Sequence, residues 1–226
     1  MKKIAGLFLV FGFVLASPVI KLHAQGFEGT ITWSMTIPML GDDEKHPMVM
    51  NMKGDKSETE VDMGMMGNMK SYKDGATKKM YMVMGSSKSG FVMDMKDLKS
   101  SDPIEVKATG NKETIAGHPA EEYSLKGQKG VDISLWMTAD MPKDIQESFF
   151  NAIKDSPNQD PNVKKAMKQL ADKGLVMVRI VMKDAGETQM TMEFVKYEKK
   201  SLDDSFFVPP ADVKFGPMPA GMGGMN

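Results

Sequence analysis

Phe27-Glu28-Gly29-Thr30-Ile31-Thr32-Trp33-Ser34-Met35-Thr36-Ile37 decides the fold class. Its apolar side chains fall at 27, 31, 33, 35 and 37, and its even positions are polar. Residues two apart share a face of a strand, so this is the period of a strand half buried against a core. Pro38 and Gly41-Asp42-Asp43 end the run.

The same period recurs downstream. Met48, Met50 and Met52 alternate with Val49 and Asn51, and Val61, Met63 and Met65 with Asp62 and Gly64. Met80, Met82 and Met84 alternate with Tyr81 and Val83, and Phe91, Met93 and Met95 with Val92 and Asp94. Gly54-Asp55, Gly67-Asn68, Asp74-Gly75 and Gly85-Ser86-Ser87 supply turn chemistry between them. A second β-rich stretch covers 113–126, turning at Gly117-His118-Pro119, and Val131, Ile133, Leu135 and Met137 mark another strand. Ile145, Phe149, Phe150 and Ile153 then fall at helical spacing after Pro142, and Val163, Met167 and Leu170 do so after Asp160-Pro161. Ser156-Pro157 separates these two runs and Gly174 stops the second, giving a helical hairpin over about 142–173. Strands at 175–183 and 188–198 and a capping segment at 201–213 complete the pattern.

Nine to eleven strands in sequence imply an antiparallel sheet, and one so wide must curl. The expected fold is therefore mainly β (α+β): a curled antiparallel sheet or partly open barrel with a helical hairpin insert. A membrane-spanning β-barrel needs lipid-facing apolar bands with aromatic girdles, and the lysines scattered through these strands oppose that.

The first 24 residues carry a different message. Lys2-Lys3 precede an uncharged apolar run from Ile4 to Ala16, and Leu22-His23-Ala24 offers a small residue for cleavage. That order is a secretory signal peptide, and the run is too short to span a bilayer as a helix. Residues 1–24 are thus expected to be removed, leaving a single β domain over 25–215 and a Gly/Pro/Met tail over 216–226 expected to be disordered. The expected location is the periplasm, with outer-membrane contact or secretion left open.

Composition excludes several functions. The chain left after removal of 1–24 carries a net charge of −4, and its one arginine is Arg179, so neither a nucleic-acid face nor an array of arginine forks is expected. Cysteine is absent, which removes catalytic thiols and thiolate metal sites. There is no Gly-x-Ser-x-Gly elbow, no His-Glu-x-x-His and no phosphate-cradling glycine loop. Asp94, Asp132 and Glu193 are carboxylates with nothing in the sequence to pair them. No catalytic residue and no cofactor is expected. His118 reads as a turn residue, and Trp33 and Trp136 as core or rim.

Several short motifs carry a resemblance. They are Gly26-Phe27-Glu28-Gly29-Thr30-Ile31, Thr114-Ile115-Ala116-Gly117-His118-Pro119-Ala120-Glu121-Glu122-Tyr123, Leu135-Trp136-Met137-Thr138 with Met141-Pro142, and Leu202-Asp203-Asp204-Ser205-Phe206-Phe207-Val208-Pro209. Together they resemble the DUF4412 family of exported bacterial proteins. That family is similar in outline to the periplasmic lipoprotein carriers of the LolA/LolB type. The resemblance implies an incompletely closed barrel of eleven strands with a helical lid and an apolar cavity, and it brings no catalytic residue with it.

Methionine is the outstanding residue type: 25 in the chain, fourteen of them between 35 and 95. Spacing by two puts Met48, Met50 and Met52 on one side of a strand, and likewise Met80, Met82 and Met84, and Met93 and Met95. If those sides meet, they line a surface of unbranched, polarisable side chains that adapts to variable apolar partners. The functional expectation is a non-catalytic binding or carrier-like protein for an apolar, lipid-like ligand or a lipoprotein, or one with an envelope protein partner. The competing reading is that the same methionines only fill a core, in a structural envelope protein without a small ligand. A third reading is a Cu(I) protein, because thioethers suit that ion. Met63, Met65, Met66 and Met69 with His46 form its candidate set, and Met218, Met222 and Met225 a second cluster.

Overall fold

The computed structural model describes residues 27–38, 44–54, 56–64, 67–74, 77–85, 88–94, 104–128, 131–154 and 161–217. The expected leader, the stretch 218–226 and Met65, Met66 and Met95 lie outside the described residues.

The chain opens with a meander of β1 (Glu28–Thr36), β2 (His46–Lys53), β3 (Lys56–Asp62), β4 (Asn68–Asp74), β5 (Lys79–Met84) and β6 (Ser89–Asp94). A second meander holds β7 (Glu105–Ile115), β8 (His118–Gln128) and β9 (Val131–Thr138). Helices α1 (Lys143–Lys154) and α2 (Pro161–Ala171) follow, then β10 (Val176–Asp184), β11 (Glu187–Lys199) and the short β12 (Lys214–Pro217). All twelve strands form one curled, unclosed sheet in the order β12-β6-β5-β4-β3-β2-β1-β11-β10-β9-β8-β7. The two meanders join where β1 pairs with β11. Every pairing is antiparallel except that of β12 with β6.

At that join the backbones approach closely. Gly29 has φ +154°, and a Cβ there would sit 2.1 Å from the Glu198 carbonyl oxygen, so any side chain would push β1 off β11. The helical hairpin lies where the sequence places it. Pro161 takes the first position of α2, where a missing N–H costs nothing. Gly174 ends it with φ +73°, and the Leu175 N–H donates back to the Leu170 carbonyl. Ile145, Val163, Met167 and Leu170 join the same buried cluster as the strand methionines. The hairpin is tied to the sheet by Lys199 to Asp144 at 2.7 Å and by the Phe27 N–H donating to Ser148 Oγ at 3.0 Å.

The sheet has more strands than expected, for reasons the register explains. β3 stops at Asp62 instead of running on to Met65, and β4 is a separate strand where the sequence offers only turn signals. Its inward positions hold Ser71 and Lys73, so the apolar alternation that betrays the other strands is missing. β7 begins at Glu105, with a mostly exposed surface that gives no burial period. The expected tail boundary is also displaced: Gly216 and Pro217 belong to β12, paired with Phe91 and Val92.

Candidate functional site

Residues directly opposite each other in neighbouring strands share a face, so the register shows which side chains meet. Three rows cross β2 to β5. Met48, Val61, Met69 and Met84 form the first, Met50, Thr59, Ser71 and Met82 the second, and Met52, Ser57, Lys73 and Met80 the third. The second continues to Phe91 and the third to Met93 on β6. Toward β1 the rows extend to Trp33, Ile31 and Gly29. On the other meander Met35 pairs with Met192, Met192 with Ile180, Met190 with Met182 and Met137 with Met177.

Met48, Met50, Met52, Met80 and Met82 are all buried on this inner face, and Met84 and Met93 are half-buried against the same cluster. Met95, the eighth expected lining residue, lies outside the described residues. Sequence spacing alone missed what separates the methionines of β2 from those of β5. Ser57, Thr59, Ser71 and Lys73 occupy that band, and all four are buried, Lys73 to 2% exposure. The inner face is therefore a thioether surface crossed by a band of hydroxyls and one lysine amino group.

Of the metal candidates, Met63, Met69 and His46 are buried, whereas Met65 and Met66 lie outside the described residues. His46 stands opposite Met35, a neighbour the sequence reading did not name, and two residues from Met48 on the same face. Met63 follows the end of β3, its N–H donating to the Gly67 carbonyl. Met69 belongs to the row of Val61 and Met48. Among the described residues no three His, Asp or Glu side chains converge as a metal site.

The outer face of the first meander is chemically different. One row runs Thr30, Asn51, Glu58, Tyr72, Tyr81. Thr30 Oγ1 donates to Asn51 Oδ1 and Asn51 Nδ2 to Glu58 Oε2, both at 2.7 Å. Burial pushes the Glu58 carboxyl and the Tyr72 hydroxyl up from their ordinary values, against the opposing effect of Lys70, 3.9 Å from Glu58.

What buries this row is the C-terminal strap, residues 201–217. Its anchor is the start of the sheet: the Leu202 N–H donates to Glu28 at 2.8 Å, and Lys53 donates to the Leu202 carbonyl at 2.8 Å. Lys53 also lies 3.1 Å from Asp204. Asp203 caps the short 3-10 turn Asp204–Phe207 by accepting from the Ser205 N–H at 2.8 Å. Leu202 and Phe207 are buried against the sheet, and β12 ties the far end.

On the second meander Arg179 makes the main polar junction. Its guanidinium forks onto Glu113 at 2.7 and 2.9 Å, its Nε donates to Glu193 at 2.7 Å, and it lies 5.5 Å from the centroid of the Trp136 ring. The hydrogen bonds from Arg179 hold the Glu113 carboxyl below its ordinary range. With its fork fully occupied, this arginine braces the sheet. His118 Nδ1 lies 3.3 Å from Asp140 at the turn end of β8, with its ring edge-on to Phe194.

Among the described residues no helix is long and apolar enough to cross a membrane. The chain is similar to solved structures at low identity. It shares 14% identity with PNGF-II at TM-score 0.43, covering 86% of this chain and 31% of that one. Against the MucA/MucB complex of Pseudomonas aeruginosa the figures are 9%, 0.41, 83% and 57%. Against the LolA superfamily protein NE2245 of Nitrosomonas europaea they are 10%, 0.34, 89% and 98%. The chain thus spans about a third of PNGF-II and just over half of the chain it matches in the MucA/MucB complex. At these TM-scores none of the three carries a function across. No curated protein matches. The model of the domain of unknown function DUF4412 matches residues 27–213, and the chain belongs to that family.

Proposed function

We propose that this chain is an exported, non-catalytic binding or carrier-like protein whose cargo is apolar and lipid-like, either a free lipid or the acylated end of a lipoprotein. The supporting observation is the register that stacks Met48, Met50 and Met52 across from Met80 and Met82 on one buried face. Thioethers on unbranched stems repack around different apolar shapes at small cost, which suits a surface that must accept and release variable chains. The band of Ser57, Thr59, Ser71 and Lys73 gives that surface a polar stripe, and an amphiphile would align its head with it. The leader over 1–24 supports export to the periplasm.

Native mass spectrometry of protein purified from its own cell envelope tests this. The expected result is a bound apolar molecule, with uptake of a fluorescent fatty acid by the stripped protein. A clean apo mass with no uptake of that probe would sink the carrier reading and leave a filled core in a structural envelope protein.

A copper reading has one observation in its favour: buried His46 stands opposite Met35, with Met48 beside it. Soft thioethers with one imidazole suit Cu(I). Titration of Cu(I) against a competing chelator checks it. Affinity lost in His46→Ala and in Met63→Leu/Met69→Leu supports a site, and affinity no better than that of an unfolded methionine peptide ends the idea.

A further inference from the structure

The outer face holds a cavity that the inner-face reading does not use. It has a volume of about 460 Å³ and lies between the strap and the outer face of β3 to β5. Tyr72 and Tyr81, in register on β4 and β5, form one wall, and Phe207 and Phe215 of the strap form the other. Tyr81 meets Phe215 edge to face at 5.1 Å, so the walls are aromatic planes held at a fixed angle. Lys56 is the one charged side chain in the lining. Its side chain is 41% exposed, and Asp204 approaches it to 3.9 Å while remaining largely in solvent. Glu58, next along the row from Tyr72, is not part of the lining and is bonded to Asn51.

Three features point to a ligand. The volume falls in the range of small-molecule sites. The lining follows the usual division of such sites, flat apolar walls with a few polar groups that fix orientation. Finally, the described residues expose only three large apolar side chains, and two of them, Phe206 at 48% and Val208 at 62%, sit on the strap beside this cavity. Val208 itself is part of the lining. Apolar exposure gathered at one opening marks a binding region more than scattered exposure does.

We infer that this cavity is a second binding site, separate from the methionine face, for a small planar aromatic acid. The ring system lies against Tyr72 and Tyr81 on the side facing Phe207, clear of the closed Tyr81–Phe215 contact, and the carboxylate meets the Lys56 side chain at the rim. Tyr72 brings a phenol to the lining, a group that is protonated at neutral pH and can donate to an acceptor in the cavity.

Isothermal titration of the full-length chain with 2-naphthoate, and with 2-naphthalenemethanol as its uncharged counterpart, tests the site. The acid is expected to bind more tightly than the alcohol. Lys56→Gln is expected to weaken the acid about fivefold, the worth of one partly exposed charge pair, and to leave the alcohol unchanged. Ala211→Trp places a bulky ring at an exposed position of the lining and is expected to weaken both by about tenfold or more. Oleate, of the ligand class proposed above for the methionine face, is expected to leave bound naphthoate in place. The proposal is overturned by any of four results: no saturable binding below about 1 mM, equal affinity for acid and alcohol, indifference to both substitutions, or displacement by oleate. The first three say nothing of whether the inner face takes a lipid, so the two readings fail separately.

Discussion

Glu58 shows how a single buried carboxyl shapes the molecule's response to pH. It sits at 4% exposure under the strap and accepts from Asn51, and burial raises its pKa. The folded chain therefore holds its proton to higher pH than the unfolded chain does. Where the folded state binds more protons, stability falls as pH rises, so Glu58 costs stability above its folded pKa and costs nothing below its unfolded pKa. Glu58→Gln keeps an acceptor for Asn51 and removes the charge. It is expected to raise Tm at pH 7 to 8, by roughly 2–4 °C for each kcal/mol gained in a chain of this size. The gain should shrink toward pH 4, and calorimetry across that range checks it; a gain that grows on acidification would refute the argument. Arg179 presents the opposite case, a charge whose every partner is in place. Arg179→Ala strands Glu113 and Glu193 and uncovers Trp136, at an expected cost of about 2 kcal/mol by denaturant unfolding. Arg179→Lys should recover less than half, because an ammonium cannot reproduce the fork.

Strands that announced themselves in the sequence are those whose inward positions are all apolar. β1 is one, with Ile31, Trp33 and Met35 inward; β5 is another, and β2 departs from the rule only at His46. β4 stayed hidden because its inward Ser71 and Lys73 break the apolar alternation, yet its place between β3 and β5 sets the distance between the two methionine ribbons. The candidate site was legible to the same extent: spacing by two put the methionines of each strand on one side, but only register reveals that a polar band divides them. β12 carries no local signal. Its four residues pair in parallel with β6, more than 120 positions earlier in the chain, so the contact that fixes it is wholly tertiary. That contact turns on Gly90, where a Cβ would lie 2.5 Å from the Met82 carbonyl oxygen and 2.7 Å from the Phe215 ring. Gly90→Ala is therefore expected to displace Phe215 and loosen β12. Hydrogen exchange should rise over 213–217 while β8 to β10 keep their protection, and unchanged exchange on the strap would show that β6 absorbs the clash instead.

At the scale of the whole molecule, one sheet has two differently covered faces: methionine and helices within, a polar row under an aromatic strap without. A filled core and a carrier surface place methionine at the same positions, so burial cannot separate them; replacement chemistry can. Leucine matches methionine closely in volume but is branched and stiffer, and such swaps usually cost less than about 1.5 kcal/mol each. If Met50, Met52, Met80 and Met82 serve only as filling, changing all four to Leu leaves a cooperative unfolding transition and alters nothing else. If they form an adaptable cargo surface, the same variant stays folded but discriminates among chain lengths: fatty-acid probes that the natural protein holds with similar affinity should separate by about tenfold or more, since a stiffer lining accommodates fewer shapes. Single Met→Ala changes at Met48 or Met80 give the complementary measurement. In a filled core each leaves a void costing about 2–5 kcal/mol, whereas beside bound cargo a longer acyl chain can occupy the space and offset part of that loss. Thermal melts of Met80→Ala with and without a long-chain fatty acid would decide the matter: a larger ligand-induced rise in Tm than in the natural protein places the cargo against Met80, and no difference places Met80 in filled core.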